Sequence, residues 1–184
     1  MIRMKNFSLK ILVLMMISLS FNSCKKNRFT QFRINYEMVV EIPSSTGINL
    51  PFNIFTPETK TNSEAQFEVN NTRKDLIEQI ILEGLELEIN SPNNGNFNFL
   101  KSVELYISAE GLDDQKIAFK ENLGNDNVRT IILETTNIDV QEYIKKDNFS
   151  LKLTTVTDEV TTSDYEIIIK SSFFIDAKLR RGKK

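Results

Sequence analysis

The residue types able to do chemistry are few in this 184-residue chain. Histidine is absent and Cys24 is the sole cysteine, so no Ser-His-Asp or Cys-His machinery and no histidine-ligated zinc can be assembled. Neither a Gly-x-Ser-x-Gly elbow nor a Gly-x-x-x-x-Gly-Lys phosphate loop occurs. Carboxylates alone can run glycoside hydrolysis when two stand at the right separation. The available sets are Glu86 with Glu88, Glu104 with Glu110, and Asp158 with Glu159. Most alternate with apolar residues, as the wet face of a sheet does, so the chain reads as non-enzymatic. Asp113, Asp114 and Asp126, the last within Asn125-Asp126-Asn127, offer loop oxygens of the kind calcium takes, although neither stretch matches the twelve-residue EF-hand pattern. Sugar rings stack on exposed aromatics. Tryptophan is absent, and the alternation leaves Tyr106 and Tyr143 as the outward rings, with Tyr36 and Tyr165 inward.

The placement of Cys24 carries more. Arg3, Lys5 and Lys10 give a positive start, Ile11 through Phe21 is apolar, and Ser18, Ser20 and Ser23 are small. Basic, apolar, small is the order of a secretory signal peptide. The apolar run is about half of the roughly 20 residues a membrane-spanning helix needs, so it reads as a leader that is removed. A lone thiol in an exported protein has no disulfide partner. It is either incidental to an ordinary cleaved signal or itself modified.

Leu19 to Cys24, with Ser23 just before the cysteine, resembles the lipobox of bacterial lipoproteins, with Phe21 where that family usually has an aliphatic residue. The resemblance covers only the leader and Cys24. It implies cleavage before Cys24 and covalent lipid on its sulfur, leaving residues 1–23 as leader and 24–31 as anchor and tether. The mature protein would then hang from one membrane leaflet, several acyl chains being needed because a single one is only marginally held. The Lys, Asn and Ile-rich composition is similar to small lipoproteins of Bacteroidota. In that group acidic residues just after the cysteine mark surface export. Lys25-Lys26-Asn27-Arg28 has none, which implies an outer-membrane protein facing the periplasm.

The formal net charge of −2 hides a pattern. Of 23 basic residues, three leave with the leader, three follow Cys24 (Lys25, Lys26, Arg28) and five crowd the C-terminus (Lys178, Arg180, Arg181, Lys183, Lys184). That leaves 12 between Phe29 and Ala177 against all 25 acidic residues, a net of −13. An acidic body repels phosphate, so nucleic acid is not an expected partner. The basic ends suit anionic headgroups, or else residues 179–184 are a solvated tail. If the tail meets a membrane, the last strand must end at the pole where the first begins.

Between these ends, residues 32–178 have the size of one domain with a full core. Phe32, Ile34, Tyr36, Met38, Val40 and Ile42 alternate with polar residues, the period of a half-buried strand. Leu50, Phe52 and Ile54 repeat it, with Pro51 pointing to an edge or a bulge. Phe67 and Val69 predict a third short strand. Thr72 as cap, Asp75 in the first turn, the grouping Leu76, Ile77, Ile80 and Ile81, and Gly84 as stop predict a helix. Strands are expected at Leu85–Ile89, Val103–Ile107, Ile117–Phe119, Ile131–Leu133, Phe149–Thr155 and Tyr165–Ile175, with a helical turn or two between Asn137 and Lys146. The expectation is an all-β fold: a single antiparallel β-sandwich of about nine strands with one or two short helices in the connections, which are mostly too short for parallel crossovers. For such a module three functions stand open. A protein-binding or assembly module at the cell envelope needs an exposed apolar groove or a free sheet edge. A carbohydrate-binding module needs Tyr106 or Tyr143 on a common exposed face. An adhesin or fimbrial subunit needs an exchangeable edge strand, for which the long first and last strands are candidates.

Overall fold

A computed structural model describes residues 31–44, 51–124, 126–157 and 159–179. The leader, Cys24 and its tether, Asn125, Asp158 and the tail from Arg180 lie outside the described residues. Among the described residues the architecture is an antiparallel β-sandwich of ten strands. These are β1 (Gln31–Ile42), β2 (Pro51–Phe55), β3 (Thr59–Lys60), β4 (Ile77–Ser91), β5 (Leu100–Ser108), β6 (Gln115–Lys120), β7 (Thr130–Ile132), β8 (Glu134–Thr135), β9 (Asn148–Thr157) and β10 (Tyr165–Ala177). One sheet runs β1-β10-β4-β7 and the other β2-β9-β5-β6-β8, with β3 also paired to β9. Two short helices, α1 (Ser63–Val69) and α2 (Gln141–Ile144), sit in the connections.

The alternation in the sequence becomes the core. Ile34, Met38, Val40 and Ile42 of β1 face Leu105, Ile107, Leu151 and Leu153 of the opposite sheet through a single cluster of buried side chains. Each such residue contributes roughly 1.5–3 kcal/mol by leaving water. At its centre Tyr36, Phe149 and Phe173 meet edge-on, with ring centroids 5.0, 5.8 and 6.3 Å apart. Tyr36 lies inward as expected. Its hydroxyl donates to the Thr61 carbonyl at 2.7 Å, and burial pushes the phenol far above its ordinary range. Tyr165 is also inward, its ring 4.4 Å from that of Phe99.

Two expectations fail here. The helix predicted from Thr72 to Gly84 is instead a single 3-10 turn, Lys74–Leu76, leading into the long strand β4. In its pairing with β10, β4 carries extra residues at Glu78 and Glu83, where the register shifts between Asp176 and Ala177 and between Ser172 and Phe173. Each bulge turns a two-residue inward spacing into three, so Ile77, Ile80, Leu82 and Leu85 all reach the core. That spacing imitates a helical period. Conversely, Phe67 and Val69 belong to α1, not to a strand. Phe67 is fully buried against the ring of Phe32 while Val69 is exposed; two alternating residues are too few to distinguish the periods. The segment Ile131–Leu133 also divides: β7 joins one sheet, β8 the other, and the Leu133 amide donates to the Leu85 carbonyl at 3.0 Å in between.

The termini of the domain converge. Gln31 at the start of β1 pairs with Asp176 near the end of β10, so the last strand does end where the first begins. The α1 helix and the following turn cap the same pole: Thr72 Oγ1 donates to the Lys178 carbonyl at 2.7 Å, and the Lys178 amide to the Leu76 carbonyl at 2.8 Å.

The opposite pole is held by Arg129. Its guanidinium donates to the carbonyls of Ile89 (2.5 Å), Pro92 (2.8 Å), Asn93 (2.6 Å) and Gly95 (3.0 Å), gathering the loop after β4 in which Ser91-Pro92 is cis. Gly95 is required there by space, because a Cβ would stand 2.8 Å from the Tyr165 ring and 3.0 Å from the Pro92 carbonyl. Hydrogen bonds to a charged donor contribute about 1.5–3 kcal/mol. Arg129→Ala is therefore expected to lower unfolding free energy by about 2–3 kcal/mol in chemical denaturation, and Arg129→Lys to recover only part of it, since a point ammonium cannot span the four carbonyls.

Candidate binding surfaces

The outer face of each sheet offers a surface, and the two differ in kind. On the β2-β9-β5-β6-β8 sheet the outward residues of β5 and β9 are Glu104, Tyr106 and Ser108, and Ser150, Lys152 and Thr154, because Leu105, Ile107, Leu151 and Leu153 point in. Cross-strand register sets Lys152 beside Tyr106, and Lys116 of β6 beyond it. The Lys152 ammonium lies 4.4 Å from the Tyr106 ring centroid and pairs with the Asp114 carboxylate, which also accepts from the Ser108 hydroxyl. Tyr106 donates its hydroxyl to Glu104 at 2.7 Å, and Lys116 pairs with the same carboxylate at 3.0 Å.

This corner draws together four residues singled out from the sequence. Tyr143 of α2 donates its hydroxyl to the Asp113 carbonyl at 2.6 Å, next to Asp114. Tyr106 and Tyr143 do border one corner, but both hydroxyls are engaged, the Tyr106 ring lies under Lys152, and the Tyr143 ring packs against the core. Asp126 is not part of it. Its neighbour Asn127 bonds to Asn98, before the start of β5, whereas Asp114 bonds to Ser108 at the strand's end. Among the described residues no group of three or more His, Cys, Asp or Glu is placed to hold a metal ion. The carboxylates form ion pairs: Glu104 with Lys116, and Glu86 and Glu88 with Lys170. Phe55, 59% exposed, extends the same face opposite Lys152. It went unrecognised in the sequence because an outward phenylalanine, as Phe119 and Phe174 also are, has no local mark that tells it from an inward one.

The outer face of the β1-β10-β4-β7 sheet is more open. Register puts Glu37, Lys170, Glu86 and Ile132 in one row across four strands, with Asn35, Ser172 and Gly84 in the next. Short side chains in the second row, next to the bulge at Glu83, leave a shallow hollow of about 500 Å³. A Cβ on Gly84 would meet nothing within 4 Å. Val39 (45% exposed) and Ile132 (67%) are apolar residues on this face.

Beside the hollow runs an edge. β10 is interior, between β1 and β4, so of the two long terminal strands only β1 is an edge. Over twelve residues β1 pairs with β10 without a register shift, and among the described residues no strand pairs with its other side. Arg33, Glu37 and Glu41 point outward along it, charges of the kind that discourage indiscriminate edge pairing. Arg33 forms a forked pair with Glu83 at 2.5 and 2.9 Å. A free strand edge is a property of paired topology and has no local sequence signal.

Two outcomes check this geometry. The Asp114 carboxyl is held below its ordinary range by its hydrogen bonds from Lys152 and Ser108, so the contact's contribution is present at neutral pH and is lost as the pH falls through that depressed value. Carboxyl NMR titration should show Asp114 low, and Lys152→Met should return it upward. Gly84→Ala should raise stability by roughly 0.5–1 kcal/mol in thermal or chemical unfolding, because a strand glycine costs backbone entropy that here clears space and relieves no clash.

Compared with known proteins, no family model matches the chain, and no curated protein matches it. Among solved structures, "Desmodium yellow mottle tymovirus" aligns at TM-score 0.31 and 12% identity, covering 84% of this chain and 92% of that one. "Turnip yellow mosaic virus" aligns at TM-score 0.31 and 10% identity, covering 83% and 98%. Likeness at that TM-score carries no argument about function.

Proposed function

We propose that the chain is a lipid-anchored protein of the cell envelope that recruits a protein partner along β1 and the adjoining outer face of its sheet, without catalysis. The observation that carries this reading is the twelve-residue edge of β1, bulge-free and paired on one side only among the described residues. An edge of that length offers a ladder of backbone donors and acceptors to an added strand, and the hollow with Val39 and Ile132 supplies apolar area beside it. The non-enzymatic part is supported by the absence of histidine and by the ion-paired state of Glu86, Glu88 and Glu104. The address, an outer membrane with the domain in the periplasm, is supported by the order of residues in Met1–Lys26, by the lipobox-like setting of Cys24 and by the lack of acid after it.

The experiment is site-specific photocrosslinking of the full-length protein in intact cells, with mass spectrometry of the mature N-terminus. Crosslinkers at Val39 and at Ile132 should trap the same protein, and Gly84→Leu, which fills the hollow, should reduce that adduct about tenfold or more. A crosslinker at Phe55 on the opposite sheet should not trap it. The recruitment reading fails if β1 positions trap nothing, or if binding to a glycan array depends on Tyr106. An N-terminus that still carries a free Cys24 thiol overturns the anchor.

A further inference from the structure

Resting on the reading that β1 recruits a protein partner, we infer that the occupant of its edge is an extended segment in which two basic side chains flank an apolar one, in the pattern basic-x-apolar-x-basic. Adjacent strands set their side chains directly opposite one another, so the outward residues of β1 dictate what faces them. Beyond Tyr36 those residues are Glu37, Val39 and Glu41, all exposed, while Met38 and Val40 between them are buried. Successive outward positions of an added strand therefore meet acid, apolar and acid. At about 3.3 Å per residue Glu37 and Glu41 stand about 13 Å apart, a span that side chains four apart on another strand match. The pattern reads the same from either end, so it holds for a parallel and an antiparallel arrival alike.

The sheet does not cancel this charge from within. Lys170 is the residue opposite Glu37, but its ammonium is turned to the next strand, 3.2 Å from Glu86 and paired with Glu88 as well. Glu41 is opposite Glu166, whose carboxylate accepts from the Asn90 amide. Two carboxylates directly across a ladder repel. Among the described residues Glu37, Glu41 and Glu166 have no ion-pair partner. Arg33, the single cation of β1, is committed to Glu83 in the other half of the strand. Charge on an edge discourages indiscriminate pairing, and here its sign selects: acidic strands are repelled and basic ones drawn in. Val39, in register with the half-buried Ile168, supplies the apolar contact between the two charges. A second copy of the chain is a poor occupant, since laying its Glu37–Glu41 stretch along this one sets carboxylate against carboxylate.

The probe is a fluorescein-labelled peptide carrying Lys-Thr-Val-Thr-Lys, with Glu-Thr-Val-Thr-Glu as its counterpart, each titrated with purified full-length protein and followed by anisotropy. The basic peptide should bind about tenfold tighter or more, because each cross-strand charge contact changes from attraction to repulsion between the two, and high salt should erase the difference. Glu37→Lys with Glu41→Lys should reverse the order of the two peptides, a gain for the acidic one that misfolding cannot produce. Glu37→Gln with Glu41→Gln should level it. Equal affinity for the two peptides, binding of neither, or an order that the charge reversal leaves unmoved overturns the inference. A photocrosslinker at Val39 that traps a second copy of the chain assigns the edge to self-association and overturns it too. The same crosslinker in cells keeps the two readings apart. A trapped partner whose crosslinked segment lacks the pattern sinks the inference and leaves recruitment standing; an empty trap beside the expected peptide order sinks recruitment and leaves the preference of the edge standing.

Discussion

The molecule depends on the inward row of β10. Ile167, Ile169, Ser171, Phe173 and Ile175 form the floor of the core, while the backbone of the same strand is paired with β1 on one side and β4 on the other. The strand can leave water only if both obligations are met at once, since an unpaired buried amide costs about as much as a lost apolar contact gains. Ser171 shows how closely they are coupled: a hydroxyl in an apolar row, it is buried while donating to the Tyr36 carbonyl at 3.3 Å. Because β10 follows the other described strands in sequence and stands between β1 and β4, the sheet that carries the β1 edge closes only when β10 is in place. Its non-local pairings, Gln31 with Asp176 among them, raise the contact order, and folding slows as contact order rises.

From that central strand the asymmetry of the two surfaces follows. On the sheet built around β9 and β5, long polar side chains from adjacent strands meet as Lys152 with Asp114 and Lys116 with Glu104. That face is largely saturated by its own partners. On the sheet built around β10, the bulge at Glu83 and the glycine after it interrupt the row of side chains and leave a hollow, and the topology leaves β1 outermost. The two poles differ as well: one is a loop cluster knit by the Arg129 guanidinium, the other gathers both ends of the domain and α1. An edge, a hollow and a pole of convergent termini are all consequences of strand order.

The errors of the sequence reading have specific physical causes. Leu76, Ile77, Ile80 and Ile81 group on one helical face, but the three-residue spacing of Ile77 and Ile80 is shared by an amphipathic helix and by a strand bulged at Glu78. What separates the two is the partner, because β10 pairs with Ile77, Ile80 and Ile81 in a register that absorbs Glu78 and Glu83. Isoleucine's stiff β-branched side chain favours the extended form, a local hint outweighed by Thr72 and Asp75 in their helix-starting places. Thr72 does make a capping-like bond, but to the Lys178 carbonyl across the fold. Phe55 was missed because outward aromatics look like inward ones until the register is known.

Composition and period by themselves determined that the chain is an all-β sandwich with antiparallel pairing, which side of most strands faces inward, where α2 falls, and that the body is acidic between basic ends. These are local properties: side-chain alternation has a period of two whatever the strand pairs with, and charge is additive along a chain. Only the tertiary structure decided strand order, and with it that β10 is interior and β1 an edge, that Tyr106, Tyr143, Asp113 and Asp114 adjoin while Asp126 stands at the far end of β5, and that Gln31 and Asp176 meet at one pole. Each of these is a distance between residues far apart in sequence. Such distances are set by which apolar faces can be buried together, a collective outcome that no single stretch of the chain encodes.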